Sequence, residues 1–247
     1  MSEIRHGVSE TRSLLPKSRI DRHHHVLHQI VYPSTGAVSV TTPAGTWITP
    51  PNRAIWIPVG QWHEHRLYGH TQLHAVGLDP ARFRDVPPEL VVLTVNPLMR
   101  ELIIACSTAA PTDKRRHLRM LAVLHDEVGS ADTHAGLWVP TPHDERLKQA
   151  CELVAEALAT PLSLSELSKR VGASERTLSR LFRDDLSMTY PQWRTQLRLQ
   201  HALVLLAEHH DVSSVAVRCG WATPSAFIDA YRRALGSTPG RQHGRER

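Results

Sequence analysis

Ser163-Leu-Ser-Glu166-Leu-Ser-Lys-Arg-Val-Gly172-Ala-Ser174-Glu-Arg176-Thr-Leu178-Ser-Arg180-Leu-Phe182 is answered later in the chain by Asp211-Val-Ser213-Ser-Val-Ala216-Val-Arg-Cys-Gly220-Trp-Ala-Thr223-Pro-Ser225-Ala-Phe227-Ile-Asp229-Ala-Tyr231. Aligning Gly172 with Gly220 superposes Leu167 on Val215 and Val171 on Cys219. One extra residue in the second turn then sets Ser174 on Thr223, Leu178 on Phe227 and Phe182 on Tyr231. An internal repeat outranks any single motif in deciding a fold.

Each copy spells a short helix, a turn and a second helix. Ser163 with Glu166 has capping-box form, because the hydroxyl and the carboxylate can each accept from the other's backbone N–H. Gly172 and Gly220 fall where the chain leaves a helix through positive φ. Ser174 and Thr223 supply oxygen caps to the next helix, whose first position tolerates Pro224. This is helix-turn-helix chemistry, with the copies spanning residues 163–185 and 211–235. Its functional reading places the second helix of each copy in a DNA major groove. Leu178, Phe182, Phe227 and Tyr231 then face the core, while Arg176, Thr177, Ser179, Arg180, Ser225, Ile228 and Asp229 lie on the opposite arc. Two ordinary hairpins of a helical bundle are the plainer alternative.

Between the copies, Pro191 to about Glu208 forms one long helix with an apolar stripe of Trp193, Leu197, Ala202, Leu205 and Leu206. About seventeen residues make a rod of roughly 25 Å. Successive major grooves on one face of a duplex recur about every 34 Å, so one chain could read two half-sites.

Over about a hundred residues this part resembles the AraC/XylS family of bacterial transcription regulators. The most specific block is Val215-Ala216 through Gly220-Trp221, Phe227 and Tyr231-Arg232-Arg233 to Gly236-Ser-Thr-Pro239. Two departures stand out. Ser187 occupies the place of Gly236 in the first copy, and Gly240-Arg241-Gln242-His243 follows Pro239 in place of an aromatic-Arg pair. The resemblance implies base contacts by Arg176, Ser179 and Arg180, and by Pro224, Ser225 and Asp229. Arginine suits guanine O6 and N7, whereas Asp229 can accept only from cytosine N4 or through water. A partnership of Asp229 with Arg232 or Arg233 is the competing expectation. Arg183, Arg194, Arg232 and Arg233 are candidate phosphate contacts.

The 247 residues suit two domains better than one. A formal charge of +5 permits a polyanionic partner, but the charges divide evenly between the two halves, so only the motif identifies the DNA-binding part. Cys106, Cys151 and Cys219 are too few and too scattered for a disulfide or zinc framework, which suits a reducing cytoplasm, and the resemblance implies that this is a bacterial cytoplasm with the protein on the nucleoid. No signal peptide or long apolar run is apparent.

Residues 1 to about 20 are expected to be a loose arm or an edge strand. From His25 to about Leu78, short period-two runs follow one another: His28–Tyr32, Ala37–Thr41, Thr46–Ile48, Ala54–Ile57, His63–Leu67 and Leu73–Gly77. Many short strands at even spacing predict a small β-barrel or jelly roll. The segment resembles the cupin-type sensor that often precedes an AraC-type module. Its carriers are His23-His-His25-Val-Leu-His28-Gln29 ahead of Gly36, and Pro58-Val-Gly60-Gln-Trp-His63. Gln29 stands at the family's usual Glu.

Alternation puts His23 and His25 on one strand face, and closure would bring His63 to the same cavity. Three readings follow. A divalent metal such as Zn, Ni, Cu or Fe could sit on His23, His25 and His63. The same residues with Gln29 and Trp56 could bind an organic effector. The cluster could also be structural. Trp47, Trp56 and Trp62 either wall the cavity or form plain core.

Pro97 to Ser107 and Asp113 to about Val128 are expected as helices, the second opening on Lys114, Arg115, Arg116 and Arg119. The resemblance makes this region a dimer interface; packing on their own barrel is the alternative. Asp144 to Leu158 begins the next helical part.

The expected fold class is α+β: a cupin-like barrel over residues 1–95, linker helices over 96–142, and an all-α module with two helix-turn-helix motifs over 143–247. The expected function is a sequence-specific transcriptional regulator and not an enzyme, with double-stranded DNA, a small-molecule or metal effector, RNA polymerase and a second copy through 97–128 as partners. A metal-dependent cupin enzyme with an accessory DNA-binding tail is the alternative.

Overall fold

The computed structural model describes residues 9–108, 113–134 and 136–242. Two units emerge: one takes the chain through Thr42 and again Ile48–Gly136, the other Pro43–Trp47 and Leu137 onward. Among the described residues no helix is long and apolar enough to cross a membrane.

The first unit is an antiparallel sheet. Its strands are β1 (Glu10–Leu14), β2 (Arg19–His23), β3 (His28–Thr42), β4 (Gly45–Thr49), β5 (Arg53–Ile57), β6 (His63–Leu78), β7 (Val91–Thr94) and β8 (Thr133–His134), of which β4 divides between the units. The order runs β1-β6-β3-β5-β7-β8, with β2 also on β6. The runs expected as four separate strands are thus two long ones, β3 and β6. Bulges at Pro33/Thr35 and Thr35/Ala37 absorb the residues that break the alternation. Gly36 at φ +70° leaves no room for a side chain, since a Cβ there would meet Thr71 Oγ1 at 2.4 Å and Tyr68 O at 2.7 Å. Residues 10–14 and 19–23 resolve the expectation for the amino-terminal segment in favour of strands; residues 1–8 lie outside the described residues.

Helices α1 (Pro97–Ser107) and α2 (Lys114–Ser130) begin at oxygen caps, Asn96 accepting from Met99 N–H and Asp113 from Arg116 N–H. Their apolar faces are buried. Met99, Ile103, Cys106, Leu121, Leu124 and Val128 form one core with Ile30, Tyr32, Trp56, Val76, Leu78 and Leu93 of the sheet. The helices expected as a separate linker over 96–142 therefore belong to the sheet unit. Sequence periodicity shows that a helix buries a face, but not what it buries it against.

The second unit holds β9 (Leu137–Pro140), which pairs with β4, and seven helices: α3 (Glu145–Glu156), α4 (Leu164–Arg170), α5 (Glu175–Leu186), α6 (Tyr190–Ala207), α7 (Val212–Arg218), α8 (Pro224–Leu235) and α9 (Pro239–Gln242). The repeat reads out as expected. Ser163 and Glu166 form the capping box, with Ser163 N–H donating to Glu166 at 2.8 Å and Glu166 N–H to Ser163 at 3.1 Å. Gly172 and Gly220 adopt φ of +63° and +73°. Ser174 and Thr223 accept from Thr177 and Ala226 N–H.

Leu167, Val171, Leu178 and Phe182 pack with Leu147, Val154 and Trp193. In the second copy Val215, Cys219, Phe227 and Tyr231 are wholly buried, and the Phe227 and Tyr231 rings meet edge to face. The departure at Ser187 keeps the geometry of its counterpart: it sits at φ +53° where Gly236 sits at +75°.

A side chain in that conformation pays roughly 1–2 kcal/mol, of which glycine returns about 0.5–1 in unfolded-state entropy. Ser187→Gly should accordingly raise stability by up to about 1 kcal/mol, seen as a higher urea midpoint; a lowered midpoint would mean that the serine side chain stabilises the turn.

Candidate functional site

Helices α5 and α8 each turn one face inward and one to solvent. In α5, Leu178, Phe182 and Leu186 are buried, while Arg176, Arg180 and Arg183 are exposed and Thr177 and Ser179 are half-buried. Thr177 also caps its helix, its hydroxyl 2.9 Å from that of Ser174. In α8, Phe227, Ala230, Tyr231 and Leu235 are buried, and Pro224, Ser225, Asp229, Arg232 and Arg233 are exposed. The structure thus brings the expected residues of each copy onto one accessible arc.

Asp229 makes the partnership weighed for it, an ion pair with Arg232 at 3.2 Å. Both side chains are mostly exposed, where such pairs contribute about 0–1 kcal/mol. Arg180 lies 4.0 Å from Asp184. Arg194 departs from the phosphate role expected of it. Its guanidinium donates to the Leu158 and Thr160 carbonyls at 3.4 and 3.1 Å, serving acceptors left over just beyond α3.

Helix α6, at 18 residues, is a rod of about 27 Å. Arg198 is nearly buried on it: Nε donates to the Cys219 carbonyl, and the guanidinium lies 3.7 Å from the centre of the Trp221 ring. Burial, then neighbouring Arg194, pulls its pKa down to about 10, so it remains charged at neutral pH. Arg198 therefore clamps the rod to the turn that precedes α8. Sequence reasoning missed it; the available signal was a cation directly beside Leu197 and Leu199 in an otherwise apolar stripe.

The second site lies on β2, the segment after it, and β6. His23 is the cross-strand neighbour of His63. Ring centres are 4.4 Å apart for His23 and His63, 4.7 Å for His23 and His25, and 5.3 Å for His25 and His63. One ligand nitrogen from each of the three can be chosen so that all lie within 4.8 Å of one another. His23 Nδ1 is 2.6 Å from Asp21 O and His63 Nδ1 is 2.8 Å from Gln61 O. A carbonyl can only accept, so both Nδ1 atoms carry a proton, which in a neutral His63 ring leaves Nε2 with its lone pair.

Among the described residues, the buried His63 Nε2 has no hydrogen-bond partner. Burial first, and the neighbouring histidines after it, hold the His63 pKa down at about 3, so the ring is neutral at physiological pH.

The remaining candidates separate from this cluster. His24 packs on Trp62, its ring centre 4.2 Å away, on the side that alternation predicts. His28 accepts from Val59 N–H and stacks on Trp56. Trp56 is the correction to the effector expectation. It pairs with Ile30, whereas Gln29 pairs with Ile57, so pleating sends Trp56 and Gln29 to opposite faces. Trp56 belongs to the core under α1 and α2, where its indole N–H donates to Pro87 O. Trp47 stacks on Trp138. Gln29 is buried with Oε1 lacking a hydrogen-bond partner among the described residues.

Residues 12–137 match the family described as AraC-like ligand binding domain, and residues 167–243 match a helix-turn-helix domain. The chain is 29% identical over 221 residues to the HTH-type transcriptional regulator NimR of Escherichia coli, covering 89% of this chain and 80% of that protein. It is 30% identical over 109 residues to the HTH-type transcriptional activator RhaR of Klebsiella pneumoniae, covering 43% of this chain and 38% of that protein. A solved structure of the DNA-binding domain of AdpA, a global transcriptional factor, in complex with a target DNA is 31% identical, covers 40% of this chain and 91% of that one, and superposes with a TM-score of 0.38. NimR, matched over most of both chains, is a transcriptional regulator, and it lends no support to the enzyme alternative.

Replacing Arg198 with methionine keeps most of the packing volume but leaves the Cys219 carbonyl without its donor. A buried acceptor so abandoned costs about 1–3 kcal/mol, so Arg198→Met should lower the denaturation midpoint by that equivalent. An unchanged midpoint would remove the clamp from the account.

Proposed function

This chain belongs to the AraC family of DNA-binding transcriptional regulators, and on that premise we propose that α5 and α8 enter successive major grooves of one operator while the histidine site of the sheet unit receives the effector. The observation that carries the DNA reading is the pair of capped helices, each with a buried apolar face and an exposed polar one, joined by a rod of about 27 Å. Arg176 and Arg180 suit guanine edges, with Thr177, Ser179, Pro224 and Ser225 beside them. Arg183, Arg232 and Arg233 suit phosphates. Asp229 either accepts from a cytosine or holds Arg232 in place for the backbone.

For the sensor, the donor chemistry fits a borderline divalent metal, with His23, His25 and His63 as its ligands. Two of the three rings have their tautomer fixed by a backbone carbonyl, the outer support usual for metal-bound imidazole. Nitrogen donors favour Zn, Ni, Cu or Fe over Mg or Ca. The Gln29 amide oxygen favours a second reading, an organic effector with a hydrogen-bond donor. Either ligand acts only so far as it binds one arrangement of the chain better than another.

The partner proposed for α2 is a second copy of this chain. Its cations Lys114, Arg115, Arg116 and Arg119 crowd the amino-terminal end and Asp126 and Glu127 lie near the other, against the helix dipole. The exposed face carries Arg115, Leu118, Arg119, Ala122, Val123 and Asp126. Two copies antiparallel about a twofold axis would set Arg115 on the partner's Asp126 and Leu118 on the partner's Val123. RNA polymerase, as the machinery such regulators act upon, is a further proposed partner.

Two measurements test these readings. In binding assays across a panel of single base substitutions, Arg180→Ala should flatten the preference at one position of a half-site, losing about 1–3 kcal/mol of discrimination, while Arg232→Ala should weaken all sequences alike and reduce the salt slope by about one. Indistinguishable profiles would refute the division of labour. In sedimentation, Arg115→Glu should shift the chain toward monomer and Arg115→Glu with Asp126→Arg should restore the dimer; a wild-type monomer at all concentrations refutes the α2 pairing.

A further inference from the structure

Four imidazoles, not three, gather at the end of β2 and β6. His65 follows His63 by two residues on β6, so both side chains leave the same face of the sheet. Its ring centre is 4.9 Å from that of His63 and 5.6 Å from that of His23. Only 2% of the residue is exposed, and Nδ1 has no hydrogen-bond partner among the described residues.

Burying a polar nitrogen unmatched costs free energy that an aliphatic side chain would avoid. A barrel interior built only for stability would put Val or Leu here, as it does at Val40, the cross-strand neighbour of His65, and at Leu67, two residues further along. Charge offers no compensation. The nearby acids look elsewhere: Glu64 and Asp21 both pair with Arg19. A buried imidazole whose Nδ1 has no hydrogen-bond partner among the described residues, beside three others, is a donor in waiting.

Resting on the metal reading of His23, His25 and His63, we infer that His65 is the fourth protein ligand of that site and takes the place of a carboxylate. His65 stands outside the three nitrogens that already lie within 4.8 Å of one another, and the broad, two-fold χ2 torsion of histidine is the freedom by which its ring can turn a nitrogen inward. The functional consequence is selectivity. Four neutral nitrogens offer no negative charge to a hard cation, so Mg, Ca and Mn should be rejected, while Zn, Ni and Cu gain a fourth soft-to-borderline donor. Gln29 contributes no charge either, which agrees with a site that is wholly imidazole.

The test is titration of the purified full-length chain with Zn or Ni chloride against a competing chelator, together with X-ray absorption of the loaded protein. Wild type should bind one equivalent with four imidazoles around the metal. His65→Gln should weaken binding by about 100-fold or more, exceeding what loss of an outer-shell support does, and should leave three imidazoles. His63→Gln serves as the control for the site itself. Wild type that binds tightly with three imidazoles, or a His65→Gln variant of unchanged affinity, overturns the fourth ligand and leaves the three-histidine site standing. Wild type that binds no metal removes both. If His65→Gln fails to fold by circular dichroism, the imidazole count in wild type decides alone.

Discussion

Two helix-turn-helix motifs keep a fixed separation only if something stiff holds them, and in this chain that constraint rests on how α6 is fastened at two points, one near its start and one at its middle. At the first, Trp193 is sunk among Leu178, Phe182 and Leu186 of the first helix-turn-helix. At the second, Arg198 spends its guanidinium on the Cys219 carbonyl and the Trp221 ring. The two fastenings differ in kind. The first is apolar and tolerant of small shifts; the second is a directed hydrogen bond with a cation stacked on an aromatic, which fixes angle as well as distance. Because Gly220 sits between those two contacts, with room for no Cβ against the Leu158 and Ala159 carbonyls, the turn ahead of α8 is pinned from both sides.

The histidine site follows the opposite logic. Where Arg198 of α6 donates to a carbonyl, β6 buries His63 and His65 with Nε2 and Nδ1, respectively, lacking a hydrogen-bond partner among the described residues. A structural polar cluster in the same unit shows what satisfaction looks like: His74 bonds Ser107 and Thr11 through Nδ1 and Ser34 through Nε2, so its buried ring has no spare atom. Two histidine groups in one sheet, one closed and one open, are hard to explain by stability alone.

The helical half was almost fully legible in the sequence because its signals are local. Capping residues, glycines at positive φ and a repeated apolar spacing all act within one turn, and Ser163, Gly172, Ser174, Gly220 and Thr223 each do what their types require. The sheet half was legible in class and not in register. Alternation located strands, yet could not tell that bulges around Thr35 join two of them into β3, nor on which face Trp56 would fall. Likewise α1 and α2 announced an apolar face without naming its partner, and Arg194 looked like a phosphate ligand until the carbonyls after α3 came within reach. The proximity of His23, His25 and His63 was expected from motif and alternation, whereas that of His65 needed the strand pairing.

The division into units does not follow the order of the chain. Pro43–Trp47 folds with the second unit, although Thr42 and Ile48 on either side fold with the first. That segment is well held. Gln200 of α6 donates to the Thr46 and Leu137 carbonyls at 2.8 Å each, and Gly45 approaches Trp138 and the Val139 carbonyl so closely that a Cβ would fall within 2.5 Å of both. The chain therefore crosses between units at three peptide bonds rather than one. A single crossing acts as a tether, through which little but distance is communicated. Here two of the three crossings flank a segment whose Thr46 carbonyl accepts from Gln200 of α6, so that segment is held within the second unit by hydrogen bonds as well as by the chain.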